Sequence, residues 1–233
     1  MNKFTLNVAN LSRAVQARMI DLHGHMLPTI VPELTARFGE LETHRSRMGY
    51  NTGSISLSAG VFLFMVANTF KPKVTVELGT FLGKSTTSLA LGAGWNDSAE
   101  RDLYTVDKDN PCTLPATIGP VRIHPHPGQT STQMYSRLVQ AGVKADLLTL
   151  DGRLQAEDLP LVRDLMHSET VILLDDFEGM EKGVVNLQVL APLTPGHLML
   201  PPVQDERLQH LGILDTHCTA MLMPSSLLAI TRQ

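Results

Sequence analysis

The 233-residue chain has only two cysteines, Cys112 and Cys218, and neither stands in a CxxC or zinc-type spacing. That excludes a secreted disulfide framework and makes the reduced cytoplasm the expected compartment. Nor is there a block of basic residues. With 19 Lys+Arg against 23 Asp+Glu the formal net charge is -4, and no run could neutralise a row of phosphates, so a nucleic-acid partner is not expected. The longest apolar stretches fall short of a membrane span, and the first ten residues lack the basic start and apolar core of a signal peptide, so no membrane partner is expected either. Internal repeats and low-complexity segments are absent. The chain is 43% hydrophobic and 18% charged, which suits a single globular unit able to bury its own core.

Apolar residues recur at helical spacing from Val8 to Phe38, broken at Gly24 and Pro28, and this predicts two helices. A polar, loop-like run from Glu40 to Ser58 precedes a third helix over Ala59 to Phe70, so residues 1–70 read as an N-terminal helical cap. From residue 71 to 233 the pattern changes to short β-rich runs alternating with helical stretches, the signature of βαβ units and a parallel sheet. Strands are predicted at Val74–Leu78, Asp102–Val106, Val121–His124, Ala145–Leu150 and Thr170–Leu174, with helices at Lys84–Ala93, Thr132–Ala141 and Leu159–Met166. Near the end, His197–Leu200, His217–Met223 and Leu227–Thr231 read as strands. Pro224-Ser225-Ser226 would join the last two into a hairpin, giving the sheet an antiparallel edge.

The first predicted strand runs into Glu77-Leu78-Gly79-Thr80-Phe81-Leu82-Gly83-Lys84-Ser85, a glycine turn opening a helix. Its glycines let backbone approach a ligand closely. A phosphate-binding P-loop needs four residues between its first glycine and the GK[ST] triplet, and here there are three; Glu77 would also oppose phosphate. An NTPase or phosphotransferase is the alternative reading, because Asp175-Asp176 after an apolar strand imitates a Walker B carboxylate. The dinucleotide pattern GxGxxG is absent.

An acidic residue closing the first strand, followed by Gly-x-x-x-Gly, resembles motif I of class I S-adenosylmethionine-dependent methyltransferases. The resemblance implies a Rossmann-like, doubly wound, mostly parallel sheet of seven strands with an antiparallel C-terminal strand. It also implies a cofactor contacted by Glu77, Gly79, Thr80, Phe81, Gly83 and Ser85, with Asp107 at the ribose hydroxyls and Gln129 and Thr130 near the adenine. Glu77 suits a ligand that carries an ammonium and a sulfonium but no phosphate. Tyr50 and Asn51 lie where relatives lay a cap strand, which makes Ser56 or Ser58 a candidate contact to the cofactor carboxylate.

Leu147-Leu-Thr-Leu-Asp151-Gly152 and Val171-Ile-Leu-Leu-Asp175-Asp176-Phe177 each deliver carboxylates at the carboxyl end of an apolar strand, the edge where open α/β sheets bind ligands. Three converging carboxylates require a cation or a proton. Oxygen ligands favour Mg²⁺, Mn²⁺ or Ca²⁺. The pattern looks more like the cation-dependent O-methyltransferases acting on macrolide or aminocoumarin sugars than like the catechol type, and it implies Asp151, Asp175 and Asp176 as metal ligands, with Asp151 also touching the cofactor. A hydroxylated small molecule, of natural-product or sugar kind, is the implied acceptor.

The lysine base of the catechol type falls at Leu154, so Asp151 or a histidine must take the proton. His23, His25, His124 and His126 are candidates. With that lysine missing, a methyltransferase-fold protein of different or lost activity is a third reading. The apolar N-terminal segment is expected to pack against a second copy as a homodimer.

Overall fold

The computed structural model describes residues 3–48, 53–108, 114–193, 196–201 and 205–229. Two N-terminal helices, α1 (Lys3–His23) and α2 (Leu27–Glu42), meet at the predicted break, and α3 (Leu57–Phe70) follows a 3-10 turn at Arg45–Arg47. The polar run after residue 40 is thus loop only in part. The Ser56 hydroxyl accepts the Ala59 N–H at 3.2 Å and caps α3.

The remaining elements are β1 (Val74–Leu78), α4 (Lys84–Gly94), β2 (Arg101–Asp107), β3 (Thr117–Ile118), β4 (Val121–Pro127), α5 (Ser131–Gln140), β5 (Leu147–Leu150), α6 (Asp158–Leu165), β6 (Val171–Leu174), α7 (Lys182–Leu190), β7 (Gly196–Met199), α8 (Glu206–Gln209) and β8 (Ala220–Pro224). Among the described residues there are eight strands in one sheet, ordered β3-β4-β2-β1-β5-β6-β8-β7. β4, β2, β1, β5 and β6 are parallel. The count exceeds the predicted seven because the two-residue β3 adds an antiparallel edge beside β4.

The C-terminal strand is antiparallel as expected but lies inside the sheet. β8 pairs with β6 on one side and with β7 on the other. The predicted strand at Leu227–Thr231 is replaced, over its described part, by a 3-10 turn at Ser225–Ala229. β8 has no free edge left for a hairpin partner, and its terminal Pro224 offers no N–H.

Helices cover both faces, which explains why β5 and β6 are apolar without alternation. Leu147, Val171 and Leu173 join the cluster built with α1 to α4, whereas Leu148, Leu150, Ile172 and Leu174 join the one built with α5, α6 and α7. Helices α1 to α3 therefore share one apolar cluster with the sheet. Among the described residues no helix is long and apolar enough to cross a membrane.

Candidate functional site

The strand order reverses between β1 and β5, and the loops leaving these two strands open a crevice at their carboxyl ends. The turn after β1 is the predicted glycine turn. Gly79 has φ +100° and Gly83 φ +82°, both in the left-handed region that side chains avoid. A Cβ on Gly79 would stand 3.0 Å from the Asp151 carbonyl oxygen, so the turn is held against the end of β5.

Glu77 is fully buried below this turn. Its Oε2 accepts the Thr86 hydroxyl at 2.5 Å and the Thr105 hydroxyl at 2.6 Å, while Oε1 has no hydrogen-bond partner among the described residues. Burial raises the Glu77 pKa, and the Ser85, Thr105 and Thr86 hydroxyls oppose that rise. Thr80 is turned inward, its hydroxyl 2.6 Å from that of Thr105. Asp107 accepts the Phe81 N–H at 2.9 Å, which ties the turn to the end of β2.

Other residues expected to contact the cofactor have the following partners in the fold. The Thr130 hydroxyl accepts the Gln133 N–H and forms a capping box at the start of α5, a local bond that satisfies the helix end. Gln129, just before it, is half-buried. Ser56 caps α3, and Ser58 donates to Asp215 at 3.2 Å. Tyr50, Asn51 and Cys112 lie outside the described residues. Lys84 leaves the turn for the cap, reaching Glu42 at 2.5 Å and Ser54 at 3.0 Å. It does not face a phosphate position, which weakens the P-loop reading.

Beside the turn lies a cleft of about 620 Å³, walled by Gly53–Ser56, the three aspartates, Phe177, Lys182 and His217–Cys218. The cavity directly over the turn is only about 10 Å³, and Ser54 and Ile55 line it together with the turn and Asp151. Asp151 lines both spaces.

The three carboxylates do face one cleft, and two of them are paired with a cation that sequence reasoning missed. Lys182, the first residue of α7, forms ion pairs with Asp151 Oδ1 and with Asp176 Oδ2, the latter at 2.9 Å. Asp175 Oδ1 accepts the Thr219 hydroxyl at 2.7 Å, and the Cys218 thiol donates to Asp176 Oδ1 at 3.8 Å. Among the described residues, the acidic and sulfur atoms close enough to share one ion are those of Asp175, Asp176 and Cys218, without Asp151.

Burial pushes the Asp151 carboxyl up to about 8; Asp175 and Asp176 add to the rise and Lys182 opposes it. Burial alone would lower the Lys182 pKa, but Asp151 and Asp176 outweigh it and keep the ammonium charged. The Cys218 thiol is pushed up to about 11 by burial and by the neighbouring acids.

None of the four predicted histidines lines the cleft. His23 is buried between α1 and α3, with Nε2 2.9 Å from the Thr69 hydroxyl. His25 is exposed. His124 bonds Asp102 at 2.8 Å and stacks on Tyr104, with His126 nearby. The histidine in the cleft wall is His217, its ring tilted 32° to that of Phe62 with the centroids 4.5 Å apart. Burial lowers its pKa to about 4, and its Nδ1 accepts the Thr219 N–H at 3.2 Å. The neutral ring then carries its proton on Nε2 and acts as a donor. No sequence spacing signalled it, because its position depends on β8 entering the sheet.

Neither a protein-family model nor a curated protein sequence matches the chain. Solved structures do. The chain is similar to an O-methyltransferase from Bacillus cereus in complex with SAH, at 16% identity and TM-score 0.55 over 79% of this chain and 89% of that one. It is similar also to the SAH-bound methyltransferase of Podospora anserina, at 17% identity and TM-score 0.51 over 81% and 87%. The likeness shows the fold: this is a Rossmann-like methyltransferase fold, mostly parallel, with helices before the sheet and an antiparallel C-terminal strand.

Proposed function

We propose that the protein is an S-adenosylmethionine-dependent methyltransferase acting on a hydroxyl of a small molecule. The observation that carries this reading is the double position of Asp151, which borders both the glycine turn and the large cleft. A methyl donor on the turn and an acceptor in the cleft would meet at its carboxylate. S-adenosylmethionine, when bound, supplies an electrophilic methyl group on a cationic sulfur. The residues present fit it: a buried carboxylate below the turn with one oxygen unpartnered suits a cationic ligand and opposes a phosphate. Asp107 ends β2, the position at which the resemblance implies a ligand for the ribose hydroxyls.

Asp151 is the base of this reading. A carboxyl raised to about 8 is, once ionised, a stronger base than an ordinary aspartate, and it suits taking a hydroxyl proton at mildly alkaline pH. His217 also lines the cleft and, as a neutral ring, has an N–H to offer an acceptor oxygen. The SAH complexes of the structural neighbours agree with the choice of cofactor.

The divalent cation expected of Asp151, Asp175 and Asp176 does not fit the donor set. An ammonium stands between two of the three carboxylates, the third is bonded to Thr219, and the extra ligand within reach is a protonated thiol, a poor partner for Mg²⁺.

Titration calorimetry with S-adenosylhomocysteine, with ATP as control, tests the reading. Micromolar binding of S-adenosylhomocysteine and none of ATP is the expected result. The reverse would replace the methyltransferase by the NTPase.

A further inference from the structure

We propose that the Lys182 ammonium is the resident cation of the acceptor site, holding the carboxylates together and donating a hydrogen bond to the acceptor oxygen. The role of that bond rests on the methyl-transfer reading; the cation site itself does not.

Lys182 bridges Asp151 and Asp176 across the ends of two neighbouring strands. An ammonium has three N–H groups. It pairs with two carboxylates, so it has a donor to spare beside the cleft that Lys182 lines. The position of the lysine is informative in itself. As the first residue of α7 its charge sits at the positive end of the helix dipole, where a cation is disfavoured. Helix formation therefore gives no reason for a lysine there, and the facing carboxylates do. Gly183 follows for a related reason. Its Cβ would fall 2.3 Å from the Asp175 carbonyl oxygen, so only glycine lets α7 begin close enough to deliver the ammonium.

Each aspartate is thus partnered within the chain: Asp151 by Lys182, Asp175 by Thr219, and Asp176 by Lys182 and Cys218. A fixed ammonium presents one donor, whereas a metal ion presents open coordination positions. The acceptor therefore needs a single hydroxyl and no chelating pair of oxygens.

The test is Mn²⁺ binding to the full chain, followed by electron paramagnetic resonance, in the wild type and in Lys182→Ala. The wild type is expected to hold no Mn²⁺ below about millimolar. Lys182→Ala, with the ammonium gone and three carboxylates exposed, is expected to bind at least tenfold more tightly, and Asp176→Asn in that background to abolish the gain. Lys182→Gln serves as a second variant should the alanine form fail to fold, folding being checked by circular dichroism. Micromolar Mn²⁺ binding by the wild type, or no gain in either folded variant, overturns the proposal. Failure of the wild type to bind S-adenosylhomocysteine would sink the methyl-transfer reading and leave the Mn²⁺ result standing.

Discussion

Replacing Lys182 by Met should destabilise the protein by an amount that depends on pH. The Coulomb term at an effective dielectric of about 20 is about 6 kcal/mol for the 2.9 Å pair to Asp176. Most of it is returned as desolvation and screening. Lys182 is 25% exposed in its side chain, Asp151 22% and Asp176 39%, so the pairs are half-buried, and a net of about 1 kcal/mol each, or about 2 kcal/mol together, is the reasonable scale. A proton on Asp151 can stand in for the lysine. The Asp151 carboxyl is raised in the folded chain, to about 8 from 3.8, so its folded form favours the proton: its contribution to stability is complete below the unfolded value and is lost as pH rises through the folded one. Without Lys182 the folded pKa rises further. The variant should therefore lose under about 1 kcal/mol at pH 6, where Asp151 is protonated in both proteins, and about 2 kcal/mol at pH 8.5, where the wild type ionises Asp151 beside Lys182 and the variant, facing Asp175 and Asp176, must keep the proton. Urea unfolding followed by circular dichroism at the two pH values measures this. Asp151→Asn in the Lys182→Met background should remove most of the pH dependence. A loss equal at both pH values, or unchanged by Asp151→Asn, would show that Lys182 acts by packing rather than by charge.

Gly183→Ala places a Cβ where the Asp175 carbonyl oxygen now sits 2.3 Å away; α7 must retreat, so methyl transfer should fall at least tenfold while S-adenosylhomocysteine affinity, measured by calorimetry, changes little. Burial holds His23 at about 4, well below its ordinary 6.5, with His25 and Lys71 adding to the effect. Its folded form is neutral, so the stability it supports is present above pH 6.5 and lost as pH falls towards 4, by about 2.5 kcal/mol at pH 4.5. Urea unfolding of His23→Gln at pH 7 and 4.5 should show that much less acid sensitivity than the wild type, and an unchanged sensitivity would place the titrating group elsewhere.

The sheet was legible where its strands are buried on both faces. Val74–Leu78 was read with its observed bounds, and β5 and β6 to within two residues, because a run such as Leu147-Leu-Thr-Leu has no other stable place in a chain of this length. Legibility failed where tertiary contacts decide. α7 carries Gly183 and the β-branched Val184 and Val185, which weaken a helix in isolation, and it forms there because the glycine lets it pack on the backbone after β6. β3 has two residues and no period. Leu227–Thr231 has the composition of a strand, but β8 has already spent both its edges on β6 and β7.

The site divides along the same line. Strand ends in a parallel sheet share one edge, so Glu77, Asp107, Asp151 and Asp175 could be gathered from the pattern alone, each being the residue at or next to the end of its strand. Converging acids must be neutralised, and that requirement too follows from sequence, but its answer does not. The pattern offered a metal ion or a proton, and nothing in the positions of Asp151 and Asp176 pointed to a side chain as the cation. The choice falls to α7, whose start is fixed by the turn at Asp176, with its φ of +50°, and by the close approach at Gly183. A lysine one residue earlier or later on that helix would point about 100° away. The chemistry of the cleft is therefore set by the phase of a helix that the sequence does not announce.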